Sequence, residues 1–383
     1  MNWAEVIERK REIAHLLARQ EREALESSDV SIIRGRASFL SPYLVSVDGD
    51  RLEAMKVLIA VGSRVCSPPI PGLELAISSD EALEMSTLPE SVVIIGGGVI
   101  AMEFAHIWNT VGVKVTVLEV GSRILASADE ELSREMARLS RDRGIEIVTR
   151  SLVERVSRAG NGLEVLIRGP EGTRVLPASR VMVAAGRLPN TDGLGLERAG
   201  VKLEKGKILV NDYLQTTAPH IYSGGDAVGG YYLAPVAAYD GRLAAKNAVL
   251  GNVEKVNHRP LPQAVFTRPP LASVGWTEAQ ARSHRSPVVV TRLAFSKVAR
   301  AVVEGETEGL AKVVTDGATG EILGAHILGA RAEELIHQFA IAMKAGLTIG
   351  QLAEMIPVAP SFSESVFEAA LSASGALRKA NIP

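Results

Sequence analysis

Residues 91–119 read SVVIIGGGVIAMEFAHIWNTVGVKVTVLE, and this stretch decides the fold. Val92–Ile95 is a short apolar run that stops on three glycines, the pattern of a strand buried on both faces. Residues 99–112 then carry helical spacing, and 113–120 (VKVTVLEV) return to a strand pattern. Working outward, residues 129–144 (DEELSREMARLSRDRG) read as a second helix and 145–150 (IEIVTR) as a third strand. The order β-α-β-α-β is the unit of a doubly wound parallel sheet.

Within that unit Gly96, Gly98 and Ala101 stand in the order G-x-G-x-x-A, directly after a strand and at the opening of a helix. An acid, Glu119, ends the next strand. This context is what a dinucleotide fingerprint requires. Gly96 permits the tight turn, Gly98 lets the backbone approach a pyrophosphate, and Ala101 keeps the helix close to the sheet. The positive end of the helix faces the phosphates. Glu119 can accept hydrogen bonds from a ribose 2′-hydroxyl and repels a 2′-phosphate, so NADH is favoured over NADPH; Arg123 can soften that preference. The alternative is a glycine turn that only packs a helix on a sheet, with Glu119 a polar strand end.

The flanks are read from the same centre. Upstream, residues 3–26 have Trp3, Val6, Ile7, Ile13, Leu16 and Leu17 at helical spacing, as in a helix packed on its own domain or one that binds a partner. SIIRGRASFL (31–40), YLVSV (43–47) and KVLIAVGS (56–63) read as strands of a small meander. A Pro-rich crossover, SRVCSPPIPGLE (63–74), leads to a domain boundary near Pro89. Downstream, LEVLIRGPEGTRVLP (163–177) is hairpin-like and RVMVAAG (180–186) is another buried strand. Residues 188–255 alternate loops and short elements around IYSGGDAVGG (221–230) and a helix, APVAAYDGRLAAKNAVLG (234–251). From about residue 260 the character is α+β, with strand-like AVFT, SVGW, AKVVTD and ILGAHILG and a helix over 332–346.

Composition narrows the function. A chain of 383 residues holds two or three domains at the usual domain size. Lys and Arg number 42 against 44 Asp and Glu, a formal charge of −2 that argues against nucleic acid as partner. The single cysteine, Cys66, excludes an intrachain disulfide or a Cys-rich metal site, and the seven histidines show no metal-ligand spacing. The most apolar run, Val92 to Met102, is too short to cross a bilayer, and the charged N-terminal segment lacks a signal-peptide core. A cytoplasmic protein without membrane partners is the expectation.

Several stretches together resemble the flavoprotein disulfide reductases, a family that includes dihydrolipoamide dehydrogenase, mercuric reductase and soluble transhydrogenase. They are VLIAVGSRVCSPPIPG (57–72), VVIIGGGVIAMEFA (92–105), VMVAAGRLPNTDGLGLERAGV (181–201), IYSGGDAVGG with LAPVAAYDGRLAAKN, AVFTRPPLASVGWTEAQA (264–281) and residues 308–336. The resemblance implies an α/β chain of doubly wound Rossmann-like nucleotide-binding domains plus a C-terminal α+β dimerisation domain. Its segments would be 1–88 and 188–258 for the two parts of an FAD-binding domain, 89–187 for NAD(P), and 259–383 for a homodimer contact. It also implies residue roles. Asp226 would hydrogen-bond a flavin ribityl hydroxyl, and the helix starting at Ala234 would point its N-terminus at the flavin. Gly62, Gly186 and Arg187 lie on turns that line nucleotide sites in the family, or serve those turns alone. Glu103 matches a glutamate near the nicotinamide and flavin rings.

Three departures qualify the resemblance. The family's first G-x-G-x-x-G and its C-x-x-x-x-C redox pair have no counterpart here, so FAD is expected to bind weakly or not at all, and the first domain to expose apolar sheet edges. The family's HPTxSE reads APSFSE, with Ala359 at the general-base position and Glu364 left without its histidine, an acid at a helix start. Glu103 lacks its lysine partner and is expected to be solvated or otherwise neutralised. The expectation is an FAD-dependent NAD(P)H oxidoreductase that passes hydride between nicotinamide and flavin, without dithiol chemistry, to a small-molecule acceptor. The alternatives are a non-catalytic NAD-binding dimeric module, or a truncated fragment of a disulfide or lipoamide reductase. Cys66, alone in a Pro-rich crossover, reads as inert packing.

Overall fold

The computed structural model describes residues 2–380. They form two compact units: unit 1 comprises 2–67, 80–88 and 186–258, and unit 2 comprises 68–79, 89–185 and 259–380.

Unit 1 begins with α1 (Trp3–Glu26), of which only Ile7 is buried. Its first half is fixed by Trp3 Nε1 donating to the Met85 carbonyl at 2.7 Å and by Arg11 pairing with Glu84 at 2.8 Å. β1 (Ala37–Ser41), β2 (Leu44–Val47) and β3 (Asp50–Glu53) form an antiparallel meander. Two sequence expectations are corrected here. Residues 31–36 lie outside any strand, with Ile32 and Ile33 exposed, because pairing starts only at Ala37↔Val47. The run 56–63 is not part of the meander: it supplies β4 (Val57–Ile59) and the first residue of β5 (Ser63–Val65), separated at Gly62, whose φ is +67°. Distant partners impose this split, which local alternation cannot reveal. β5 pairs with β13 (Arg187–Pro189), and β4 runs parallel to β16 (Ile221–Ser223). α5 (Ala234–Leu250) packs beside β16, and Phe39, Ile59, Leu196, Val201, Ile208 and Ile221 form a buried core.

In unit 2, β6 (Ser91–Ile95), β7 (Lys114–Leu118), β8 (Glu146–Val148) and β12 (Arg180–Val183) form one parallel sheet in the order β12-β6-β7-β8. α3 (Val99–Thr110) and α4 (Glu130–Asp142) are its crossovers. Val92–Ile95 are buried because parallel neighbours and helices cover both faces. β9 (Leu152–Ala159), β10 (Gly162–Gly169) and β11 (Gly172–Ala178) add an antiparallel sheet. The Pro-rich segment lies against it at Gly72, where a Cβ would fall 1.8 Å from the Val156 carbonyl oxygen, so no larger residue fits. Residues from 259 build a third sheet in the order β17-β18-β21-β20-β19 from β17 (Gln263–Val265), β18 (Leu271–Gly275), β19 (Val288–Ala294), β20 (Leu310–Asp316) and β21 (Ile322–Leu328). α8 (Ala332–Ala345) and α10 (Glu364–Ala380) pack on it through Phe339, Ala369 and Ala373.

A buried ion cluster ties α4 to the C-terminal sheet of unit 2. Lys312 on β20 has only 3% of its side chain exposed. Its Nζ meets Asp129 at 2.8 Å, Glu131 at 2.9 Å and Glu278 at 2.8 Å. Asp129 caps α4 by accepting from the Glu131 N–H and also accepts from the Glu278 N–H, at the start of α6 (Glu278–His284). Burial pushes the three carboxyls up and Lys312 down; the hydrogen bonds among them and from Arg292 outweigh it, leaving the carboxyls lowered and the ammonium raised.

Candidate functional site

The turn between β6 and α3 is built from its glycines. Gly96 has φ +112°, and a Cβ there would fall 2.3 Å from the Ala184 carbonyl oxygen. A Cβ on Gly97 would collide with the Glu119 side chain at 2.9 Å. Gly98 caps α3 with an extended backbone (φ −79°, ψ −169°) and no side-chain hydrogen bond. A Cβ on Gly98 would meet nothing within 4 Å. The space before the helix N-terminus is thus open, and the helix offers its positive end to it. Ala101 is fully buried where α3 meets the sheet.

Glu119, the residue after β7, folds across the mouth of the turn. Its Oε2 accepts the Gly97 N–H at 2.7 Å and its Oε1 accepts the Gly121 N–H at 2.6 Å. Each oxygen keeps a further lone pair for a sugar hydroxyl. Beside it opens a cleft of about 500 Å³, lined by Ser122, Thr149, Arg150 and Ser151 among others. Arg123 does not reach toward this space. Its guanidinium donates to the carbonyls of Leu125, Ala126 and Ala128 and braces the loop.

Glu103 lies on the next turn of α3. It is half-buried rather than solvated, and its Oε1 accepts the Phe266 N–H at 3.0 Å. Burial raises its carboxyl above the usual range, with the Phe266 N–H opposing. Burial thus favours the neutral form of Glu103, where the resemblance implied a lysine partner. An acid whose folded pKa lies above its unfolded value loses stability as pH rises through that window. Glu103→Gln should therefore gain in Tm relative to the native chain between pH 4 and 7, by on the order of 1–2 °C. A Tm difference independent of pH would refute the raised carboxyl. His106, one turn on, is pushed down to about 4 by burial and by Arg143. It accepts the Arg268 N–H at Nδ1 (3.2 Å), which leaves Nε2 to donate to Ser140 Oγ (3.0 Å).

The remaining expected residues fall into two places. Gly62, Gly186, Asp226 and Ala234 belong to unit 1, where Asp226 Oδ2 accepts from Ser63 Oγ at 2.5 Å. Ser63 Oγ in turn accepts from Arg187 Nε at 2.7 Å. Ser63 was missed in the sequence; its only signal is a hydroxyl next to Gly62. A Cβ on Gly62 or on Gly186 would meet nothing within 4 Å. α5 starts at Ala234 with no side-chain cap. Ala359 and Glu364 belong to unit 2. Ala359 is exposed, and Glu364 opens α10 and accepts the Ser361 N–H at 2.8 Å, a helix-start contact. Cys66 is a free thiol, partly buried.

Residues 3–241 match the family described as pyridine nucleotide-disulphide oxidoreductase, and residues 261–370 match its dimerisation domain. The chain belongs to the pyridine nucleotide-disulphide oxidoreductase family. Among relatives of this family, dihydrolipoyl dehydrogenase of Bacillus subtilis (strain 168) is 34% identical over 381 residues, spanning 98% of this chain and 82% of the relative. Glutathione reductase of Burkholderia cepacia is 37% identical over 365 residues, spanning 95% and 80%. The solved HOCl-induced flavoprotein disulfide reductase RclA from Escherichia coli superposes with a TM-score of 0.88 at 31% identity, covering 97% of this chain and 86% of that one. Among the described residues, no helix is long and apolar enough to cross a membrane, and no group of three His, Cys, Asp or Glu side chains is placed to hold a metal.

Proposed function

We propose that this chain is an NADH-dependent flavin oxidoreductase whose electron acceptor is a small molecule other than a disulfide. When bound, the nicotinamide dinucleotide supplies a hydride and FAD takes it up. The observation that carries this reading is the Glu119 carboxylate, anchored by the Gly97 and Gly121 N–H groups at the open head of α3. There the backbone N–H groups and the helix dipole hold a diphosphate, and Glu119 takes the adenosine 2′- and 3′-hydroxyls while opposing a 2′-phosphate. Asp226 offers an acceptor to a ribityl hydroxyl, and the start of α5 at Ala234 favours negative charge on the flavin by about 0.3–1 kcal/mol. The single parallel pair β4–β16 beneath them supports a weakly held FAD. Glu103 orders the α3 face toward the nicotinamide through the Phe266 N–H.

Ala359 cannot move a proton, and Glu364 is engaged at the start of α10, which favours an acceptor that needs no thiol base. Residues 259–383 make the contact of a homodimer in this reading. Calorimetric titration tests the nucleotide assignment. NADH should bind at least about tenfold more tightly than NADPH, and Glu119→Ala should lose about tenfold for NADH, near 1.4 kcal/mol, while NADPH binding is kept or improved. No heat with either nucleotide would overturn it.

A further inference from the structure

A buried aspartate that the reading above does not use sits inside α5. Asp240 is 1% exposed, yet it faces the turn that carries Asp226. Its Oδ2 accepts the Gly225 N–H at 3.0 Å, and its Oδ1 lies 2.6 Å from His258 Nε2. The turn is pressed onto the helix: a Cβ on Gly224 would fall 2.8 Å from Asp240 Cβ, and one on Gly225 would fall 2.8 Å from Ala237 Cβ. Gly225 also has φ +66°, so its N–H is aimed by a backbone that favours glycine. The next residue, Asp226, is held through its side chain by Ser63 and Arg187. The two grips are independent, one on the backbone and one on the carboxylate.

A carboxylate this deeply buried is unfavourable unless hydrogen-bonded and paired. His258 meets that need from a partly exposed position, flanked edge-on by Tyr231 at 5.2 Å and Tyr239 at 5.9 Å. An alanine at 240 would pack in a helix as well. The acid is therefore explained by its grip on Gly225.

We propose that Asp240 and His258 are positioning residues that lock the Gly224–Asp226 turn, and so aim the Asp226 carboxylate at a flavin ribityl chain. The inference rests on the flavin reading above. Its test is titration of FAD into the full chain, followed by quenching of flavin fluorescence, with NADH affinity measured in parallel. Asp240→Ala should weaken FAD binding at least about tenfold and leave NADH binding unchanged. Asp240→Asn keeps an oxygen for the Gly225 N–H and should return to within about threefold of the native value. His258→Ala should weaken FAD binding, and His258→Gln, which keeps a donor, should restore it. If Asp240→Ala fails to fold, as loss of a cooperative thermal transition of unit 1 would show, the two His258 variants decide. Native chain that binds FAD while Asp240→Ala binds it equally well overturns this proposal alone. Equal losses for Asp240→Ala and Asp240→Asn also overturn it. Native chain that binds NADH and no FAD overturns the flavin reading and this proposal together.

Discussion

Gly98→Val is expected to abolish NADH binding, by at least about 100-fold or 2.7 kcal/mol, in a chain that still folds. The two halves of this expectation have separate causes. The backbone at Gly98 is extended, a conformation valine adopts freely, and its Cβ would meet no protein atom within 4 Å. Loss of a favourable helix cap amounts to at most about 1 kcal/mol, so Tm should fall by no more than roughly 3 °C. The same isopropyl group would stand where the diphosphate must approach the helix N-terminus. Gly96 and Gly97 do not separate the effects, because a Cβ at either collides with Ala184 or Glu119 and disturbs the loop itself. Calorimetry and a thermal melt on Gly98→Val check both halves. Undiminished NADH affinity would show that the nucleotide lies elsewhere.

Lys312→Met should destabilise unit 2 by about 3 kcal/mol at neutral pH, a fall in Tm of roughly 6–12 °C. Methionine keeps the length of the stem but leaves the buried Asp129 without its cation, while Glu131 keeps Arg292 and Glu278 keeps Arg282. Asp129 is 2% exposed and cannot turn to water. The sign with pH follows from the lowered carboxyls. Their stabilisation is fully present above the unfolded carboxylate pKa of about 4 and is lost as pH falls through their lower folded values. In the variant Asp129 loses that gain and Glu131 and Glu278 keep only the part that Arg292 and Arg282 supply, so the deficit should be largest at pH 7–8 and shrink toward pH 4. Melts across that range check it; a deficit that does not change with pH would mean that the cluster acts through packing alone.

The parallel sheet of unit 2 was readable because each of its signals is local. Val92–Ile95, the glycines and Glu119 carry strand, turn and acid within one stretch, and the structure arranges them as that order demands. The meander was readable only in part: 31–36 alternate like a strand but lie outside the pairing, and 56–63 depend on partners far along the chain. α10 left little signal. It is rich in Ser, Gly and Ala, and its helical state comes from packing small residues such as Ala369 and Ala373 closely on the C-terminal sheet. The grip of Asp240 on Gly225 was also hidden, because an acid in a helix pattern looks like any solvated face until its neighbours are known. The three nearby carbonyls to which Arg123 donates were likewise invisible in the sequence.

The chain passes from one unit to the other at five places, after residues 67, 79, 88, 185 and 258. Neither unit is a continuous piece, and this sets an order of events on the ribosome. Every strand of the β6–β12 sheet has emerged by Val183, so that sheet can close while translation continues. β4 must wait for Ile221–Ser223 before its backbone groups are paired. Nascent chains thus carry the unpaired β4 edge for well over a hundred residues of synthesis, the interval in which chaperone capture would matter most.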